Sequence, residues 1–378
     1  MITWVIPWLS ELWSPLQALQ YITVRIGLAA AFAFVVAVLL GKPVIRALSR
    51  AGVHENSGAN DDPEVAARHK ALGKSEIPTM GGVFWVTAIL MSTLLFANPS
   101  ELLVLLGAVL LVGMGTLGFF DDWVKWKRED GKNGLSRRSK MLATVLLAGY
   151  VAGMLWLMGE RTGRPEIGRI YFPILKDLVA NTETFGWIGF GIFVFFEAFV
   201  ILATSHAANV TDGLDGLAAG SALIAFAALT IAVYAVSHAE LAEYLHLPMI
   251  PGAGEVAVMG GAMLGATLGF LWYNCHPAEV FMGDSGSLPM GAMIGYLALV
   301  SKQELALPLL AGVFVLDVTT SLLQIGYFKM SGGKRLFRKA PIHHAFELKG
   351  MTESKIVARF WIGGAISAAI GLLLLKVR

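Results

Sequence analysis

Cysteine occurs once in this sequence, at Cys275, so neither a disulfide framework within the chain nor a cysteine-built zinc cage is possible. Charge is scarce as well. Asp, Glu, Lys and Arg make up 15% of the residues, against roughly 25% in a soluble globular protein, and that shortfall excludes an ordinary soluble enzyme. Neither sign is in excess, the net charge being +2, so bulk charge makes no case for a nucleic-acid partner. The first 20 residues hold no Lys or Arg and so lack the positive n-region of a signal peptide. Short segments of alternating hydrophobicity, the mark of a transmembrane barrel, are also missing. What the chain has instead is 56% hydrophobic residues, a mean hydropathy of +0.66 and 42 glycines scattered through apolar segments. Glycine in that setting lets helices pack closely in lipid.

A helix crosses the hydrocarbon core with about 20 apolar residues. Ten segments qualify: 21–48, 79–97, 101–120, 140–158, 185–204, 216–236, 256–273, 286–300, 305–327 and 356–376. The expected fold is an all-α integral membrane protein, one polytopic domain over 1–378 with no internal repeat and no long linker. Orientation follows from the basic residues. The connections 49–78, 121–139 and 328–355 carry 4, 6 and 7 of them, while 159–184 carries 4, 237–255 none and 301–304 only Lys302. The richer side is expected in the cytoplasm, which puts both termini on the outer, periplasmic side. Trp4, Trp8 and Trp13, interrupted by Pro7 and Pro15, make 1–20 an interfacial segment. Arg169-Ile170-Tyr171-Phe172 gives the 159–184 loop the character of a small hairpin.

Acidic residues are costly in a membrane and worth tracing. They gather at the cytoplasmic ends of spans: Asp121-Asp122 closes the third, Asp212-Gly213-Leu214-Asp215 precedes the sixth, and Gly283-Asp284-Ser285 precedes the eighth. Carboxylates brought together repel and call for a shared cation; oxygen ligands suit a hard ion, Mg²⁺ above all where phosphate is the other ligand. Glycines beside Asp212, Asp215 and Asp284 let backbone approach a ligand, and the helix N-termini that follow favour phosphate. Lys70, Lys125 and Lys140 are the cationic partners available for a diphosphate. Each motif alone has a plainer explanation: a solvated helix C-terminus for Asp121-Asp122, a turn for Gly283-Asp284, a capping turn for Asp212–Asp215. Their convergence on one face favours a site.

The 328–355 loop adds Pro341-Ile342-His343-His344. The histidines suit metal ligation, acid–base work or donation to a sugar or phosphate, with a structural pair as the alternative. Glu197, in the middle of 185–204, reads as an interior hydrogen-bonded group rather than a catalytic one.

Taken in order, Pro78-Thr79-Met80-Gly81-Gly82, Phe120-Asp121-Asp122-Trp123-Val124-Lys125, Asn209-Val210-Thr211-Asp212-Gly213-Leu214-Asp215-Gly216-Leu217, Pro277-Ala278-Glu279-Val280-Phe281-Met282-Gly283-Asp284 and Pro341-Ile342-His343-His344 resemble the phospho-N-acetylmuramoyl-pentapeptide transferases, a branch of the polyprenyl-phosphate N-acetylhexosamine-1-phosphate transferases. The likeness runs from about residue 42 to the C-terminal end. It implies an enzyme of the bacterial inner membrane that moves phospho-N-acetylmuramoyl-pentapeptide from UDP-MurNAc-pentapeptide to undecaprenyl phosphate at the cytoplasmic face. The products are lipid I and UMP, the cofactor is Mg²⁺, and the assembly is commonly a homodimer. It further implies catalytic roles for Asp121, Asp122, Asp284, His343 and His344, with Asp284 and Asp212 at the metal. Substrate contacts fall to Lys70, Lys125, Lys140, Asn209, Asp212, Asp215, Asn274, Ser287 and Gln324.

The chain departs from the family pattern at Ala345, where a third histidine is usual, at His206, where an asparagine is usual, and at Ile77, where a threonine is usual. None of these touches the five aspartates. The nearest rival is a transferase loading N-acetylglucosamine-1-phosphate onto the same lipid; the long Ala340–Gly350 stretch favours the muramoyl-pentapeptide branch. A cation-coupled transporter would place its acids near the midplane at broken helices rather than at span ends beside basic loops. A lipid-binding module without turnover would not need five matched aspartates.

Overall fold

The computed structural model describes residues 14–54, 74–128, 134–173 and 179–376. The tryptophans at 4, 8 and 13 lie outside them, and only the 3-10 helix Ser14–Gln20 of the N-terminal segment is described. Helices occupy all ten of the expected segments: α1 Ile22–Ala51, α2 Gly82–Phe96, α3 Leu102–Lys127, α4 Arg137–Thr162, α5 Gly186–Thr211, α6 Leu217–Ser237, then, after the short α7 Ala239–Leu245, α8 Ala253–Asn274 and α9 Asp284–Ser301, α10 Leu307–Leu310 with α11 Gly312–Met330, and, after the short α12 Ile342–Glu347, α13 Glu353–Leu374. Between α4 and α5, β1 Arg169–Tyr171 pairs antiparallel with β2 Val179–Asn181.

Seven of these helices (α1, α3, α4, α5, α6, α8 and α13) are long and apolar enough to cross a membrane unaided. The others differ for physical reasons. α2 has only 15 residues. α9 is buried along its whole length from Ser285 to Ser301, so it faces helices rather than lipid and tolerates serines and an internal Pro289. The segment expected as one span over 305–327 is broken: Glu304–Leu310 and Gly312–Met330 meet at 93°. Pro308 sits in the first turn of α10, where its missing N–H is tolerated; the turn comes at Ala311, which leaves helical geometry at φ −122° and ψ 38°, and Gly312 restarts the chain in a new direction.

The bundle is assembled around α9 and α8. Gly118 of α3 and Gly82 of α2 lie so close to the backbone at Asp284–Gly286 that a side chain at either would collide with it. Gly261, Gly265 and Gly269, spaced four apart on α8, meet the α1 backbone in the same way, the small-residue packing that replaces the hydrophobic drive within lipid. At the far end from the acidic residues, Arg25 forms a two-pronged pair with Glu255 at 2.6 and 2.7 Å and also donates to the Phe96 carbonyl. That latch pairs both terminal nitrogens of a buried guanidinium and fixes α1 against α8.

Candidate active site

Asp121 and Asp122 occupy the last turns of α3 and are buried; Asp284 is the first residue of α9. Oxygens of all three lie within 4.8 Å of one another. Asp122 accepts hydrogen bonds from the backbone N–H groups of Asp284 (3.2 Å) and Ser285 (2.9 Å). It thus caps the exposed N–H groups of α9 and meets the positive end of the helix dipole. Gly283 makes the entry possible: its φ of +67° suits glycine, and a Cβ there would lie 2.6 Å from Asp122 Oδ2.

Two lysines close the ring. Lys125, one turn beyond the pair on α3, reaches Asp121 at 2.8 Å, Asp284 at 2.9 Å and Asp122 at 3.6 Å. Lys140, at the start of α4, reaches Asp121 at 3.3 Å and also pairs with Asp284. Asp121 Oδ1 further accepts from the Leu135 N–H at 2.8 Å. Asn209, at the end of α5, donates to Asp284 and, at 3.0 Å, to Ser287. Five residues predicted at separate span ends thus meet with Asn209 and Ser287 at one end of the bundle.

A second polar centre lies around Asp215. Its Oδ1 accepts from Lys74 at 2.7 Å, and its Oδ2 lies 3.0 Å from His276 Nδ1 and accepts from the Ala278 N–H. Glu353 Oε1 accepts from both Lys74 (2.6 Å) and the Asp215 N–H (2.7 Å). Burial opposes the charge on Lys74, but Glu353 and Asp215 outweigh it and raise the ammonium above its ordinary range. Burial likewise opposes ionisation of Asp215; Lys74, His276 and the Ala278 N–H outweigh it and hold the carboxyl below its usual value. Asn274 ties the same region together, accepting from the Gly216 N–H and donating to the Val280 carbonyl. Asp215, His276 and Glu353 are the other group of described residues with ligand atoms close enough to hold a metal.

The histidines form a third element. His343 Nδ1 is 2.8 Å from Asp317 Oδ2, with both side chains fully buried, and His344 Nδ1 is 2.6 Å from Glu347 Oε2. Each imidazole is anchored through Nδ1 to a carboxylate, which leaves Nε2 as its other ring nitrogen; that of His343 is buried and without a hydrogen-bond partner among the described residues. Those Nε2 atoms face the turn after α5: a Cβ on Gly213 would lie 2.6 Å from the one and 3.3 Å from the other. Asp212 ends α5 at this turn. Asp212, expected with Asp284 at a metal, is not in either close acidic group found among the described residues. Gln324, on α11, accepts from the Leu336 and Phe337 N–H groups and so braces the loop before α12. Lys70 lies outside the described residues.

Lys74, His276, Glu353, Asp317 and Glu347 were not singled out from the sequence. Asp317, a carboxylate within an apolar span, carried a usable signal. Lys74 stands four residues before Pro78 of the Pro-Thr-Met-Gly-Gly motif, whereas Glu353 and His276 acquire significance only through contacts across the fold. Of the departures from the family pattern, Ala345 is buried within α12. His206 lies one turn before Asn209, its buried Nε2 without a partner among the described residues.

A bundle of apolar helices that holds three carboxylates, two lysines and an asparagine at one end defines a polytopic membrane protein with a polar, metal-competent site at its surface. Residues 102–302 match the family model described as glycosyl transferase family 4. Three proteins named phospho-N-acetylmuramoyl-pentapeptide-transferase are similar over nearly their whole length. That of Thermodesulfovibrio yellowstonii is 41% identical, with 98% of each chain covered. That of Maridesulfovibrio salexigens is 39% identical, with 96% of each chain covered. That of Aliarcobacter butzleri is 41% identical, covering 96% of this chain and 97% of the relative. The chain belongs to glycosyl transferase family 4 and, within it, to the phospho-N-acetylmuramoyl-pentapeptide transferases.

Proposed function

We propose that this chain transfers phospho-N-acetylmuramoyl-pentapeptide from UDP-MurNAc-pentapeptide to undecaprenyl phosphate, giving lipid I and UMP. The substrate reading rests on the near-full-length likeness to transferases of that name; the meeting of Asp121, Asp122 and Asp284 with Lys125 and Lys140 is the structural observation that carries the chemistry. A phosphate oxygen of the lipid forms the new bond to the sugar-bearing phosphorus as the bond to UMP breaks. In the same reading the chain makes ten spans in the bacterial inner membrane, with termini outside, the acidic end in the cytoplasm and two copies paired as a homodimer. The excess of Lys and Arg in the connections at the acidic end supports that orientation.

The residues fit a Mg²⁺ ion. Three acidic side chains meet two lysines here, and every acidic donor is a hard oxygen. Asp284, Asp121 and Asp122 would hold the ion; it would supply neutralisation of the diphosphate charge. Lys125 and Lys140 hold phosphate oxygens and offset charge on departing UMP. In this reading Asp121 is the group that takes a proton from the lipid phosphate. Asn209, itself bonded to Ser287, orients Asp284, and the Nε2 atoms of His343 and His344 offer contacts beside the Asp212–Gly213 turn.

The test is UMP release by the purified full chain with both substrates and Mg²⁺. Wild type is expected to release UMP only with metal, and Asp284→Ala to lose at least about 100-fold, the scale for removing one electrostatic group from a preorganised site. Release with UDP-GlcNAc in place of the muramoyl donor would instead assign the sister transferase. No release with either donor from a folded wild type would overturn the transferase reading.

A further inference from the structure

The 93° break between α10 and α11 opens a groove against α13 that takes no part in the polar site. It has a volume of about 450 Å³, within the roughly 300–1,000 Å³ typical of ligand cavities. Val313 and Leu316 from α11, Phe346 from α12, and Ile356 and Phe360 from α13 line it. Its depth comes from missing side chains: Gly312, Gly363 and Gly364 all border it, and a Cβ on Gly363 would meet nothing within 4 Å.

The one charged residue of the lining is Arg359. It is exposed and lies six residues into α13, about 9 Å from the helix start, which is head-group depth on the orientation proposed above. A guanidinium there is costly unless it meets an anion or snorkels to water. Among the described residues it donates only to the Met351 sulfur, at 3.4 Å, a weak acceptor. An apolar groove with an exposed guanidinium at its mouth matches a hydrocarbon chain that ends in a phosphate.

We propose that this groove binds an anionic diacyl phospholipid of the cytoplasmic leaflet, one acyl chain lying along Val313 and Phe360 and the phosphate on Arg359. A resident phospholipid is favoured over the reacting polyprenyl phosphate because the lining shares no residue with the Asp121–Asp122–Asp284–Lys125–Lys140 cluster. Helix α12 is a wall between the two: Phe346 faces the groove, while His343 and His344 face the Gly213 turn.

The full chain, taken from bilayers of mixed phosphatidylglycerol and phosphatidylcholine, is examined by native mass spectrometry as wild type, Arg359→Gln, Arg359→Lys and Gly363→Leu. Wild type should retain one phosphatidylglycerol more than Arg359→Gln or Gly363→Leu. Apparent affinity should fall at least tenfold in Arg359→Gln and recover in part in Arg359→Lys. The exposure of Arg359 and the open space at Gly363 make all three variants compatible with the fold, which thermal melts check. Equal retention by wild type and variants, equal retention of phosphatidylcholine, or one-for-one displacement by added undecaprenyl phosphate would each overturn the proposal. Binding is read without turnover, so the result is separable from that of the UMP assay.

Discussion

At the residue scale, Lys74 and Asp215 balance burial against pairing, and the balance has a pH signature. Both lie outside the membrane-spanning helices, in a 3-10 turn and an interhelical turn. The carboxyl of Asp215 is held below its ordinary value, so its contribution to stability is complete above about pH 4, the unfolded value. It is lost as the pH falls through the depressed folded value. The ammonium of Lys74 is raised, so its contribution is complete below about pH 10.4 and is lost only as the pH rises through the raised folded value. Between those limits the pair is fully formed. Asp215→Asn should therefore melt below wild type throughout the neutral range, and the gap should narrow as the buffer is taken below about pH 4. Thermal unfolding of the detergent-solubilised protein from pH 3 to pH 8 measures it. A gap that stays constant into acid would mean that the Asp215 carboxylate contributes nothing as a charge. The aspartates of this site were legible in the sequence because acids at span ends are rare and glycine-flanked. Their buried partners were not: Glu353 and Lys74 are 279 residues apart, and no local pattern announces that they will meet.

At the element scale, the position of Asp284 depends on how near α3 can come to α9. Gly118 permits that approach, since a Cβ on it would collide with the Asp284 carbonyl and the Ser285 N–H group. Those atoms are backbone at a capped helix start and have little room to yield. Gly118→Ala is expected to cost about 1–3 kcal/mol of stability, the usual scale of overpacking. It should also reduce kcat by up to about 100-fold, because a displacement near 1 Å is enough to misplace a catalytic group. Gly149→Ala is the control: it lies on α4 with nothing within 4 Å of its Cβ, and should leave both quantities near wild type. Thermal melts and initial-rate kinetics on the two variants decide the point, and similar losses in both would refute it. Hydrophobic runs disclosed where helices form, because the cost of unsatisfied backbone in lipid leaves the chain few other options. They did not disclose the break at Ala311, where the backbone leaves helical geometry between α10 and α11. Nor did they show that α9 would be enclosed by other helices, a property of its neighbours rather than of its own sequence.

At the scale of the whole molecule, the proposed orientation can be read from the one thiol the chain possesses. Cys275 follows α8 directly and is exposed. Its neighbour His276 touches Asp215, and Asn274 donates to Val280 just before α9. The sulfur therefore sits at the acidic end of the bundle, on the side where the basic connections gather. If that end faces the cytoplasm, a charged maleimide that cannot cross the bilayer should label Cys275 in inside-out vesicles and leave it unlabelled in right-side-out cells until they are permeabilised. Cys275→Ser should abolish labelling in both, which ties the signal to this residue without any engineered cysteine. Labelling of intact cells before permeabilisation would invert the topology. It would also set the acidic site on the face opposite to the one on which the proposed reaction is placed, so one accessibility measurement bears on the membrane orientation and on the proposed reaction together.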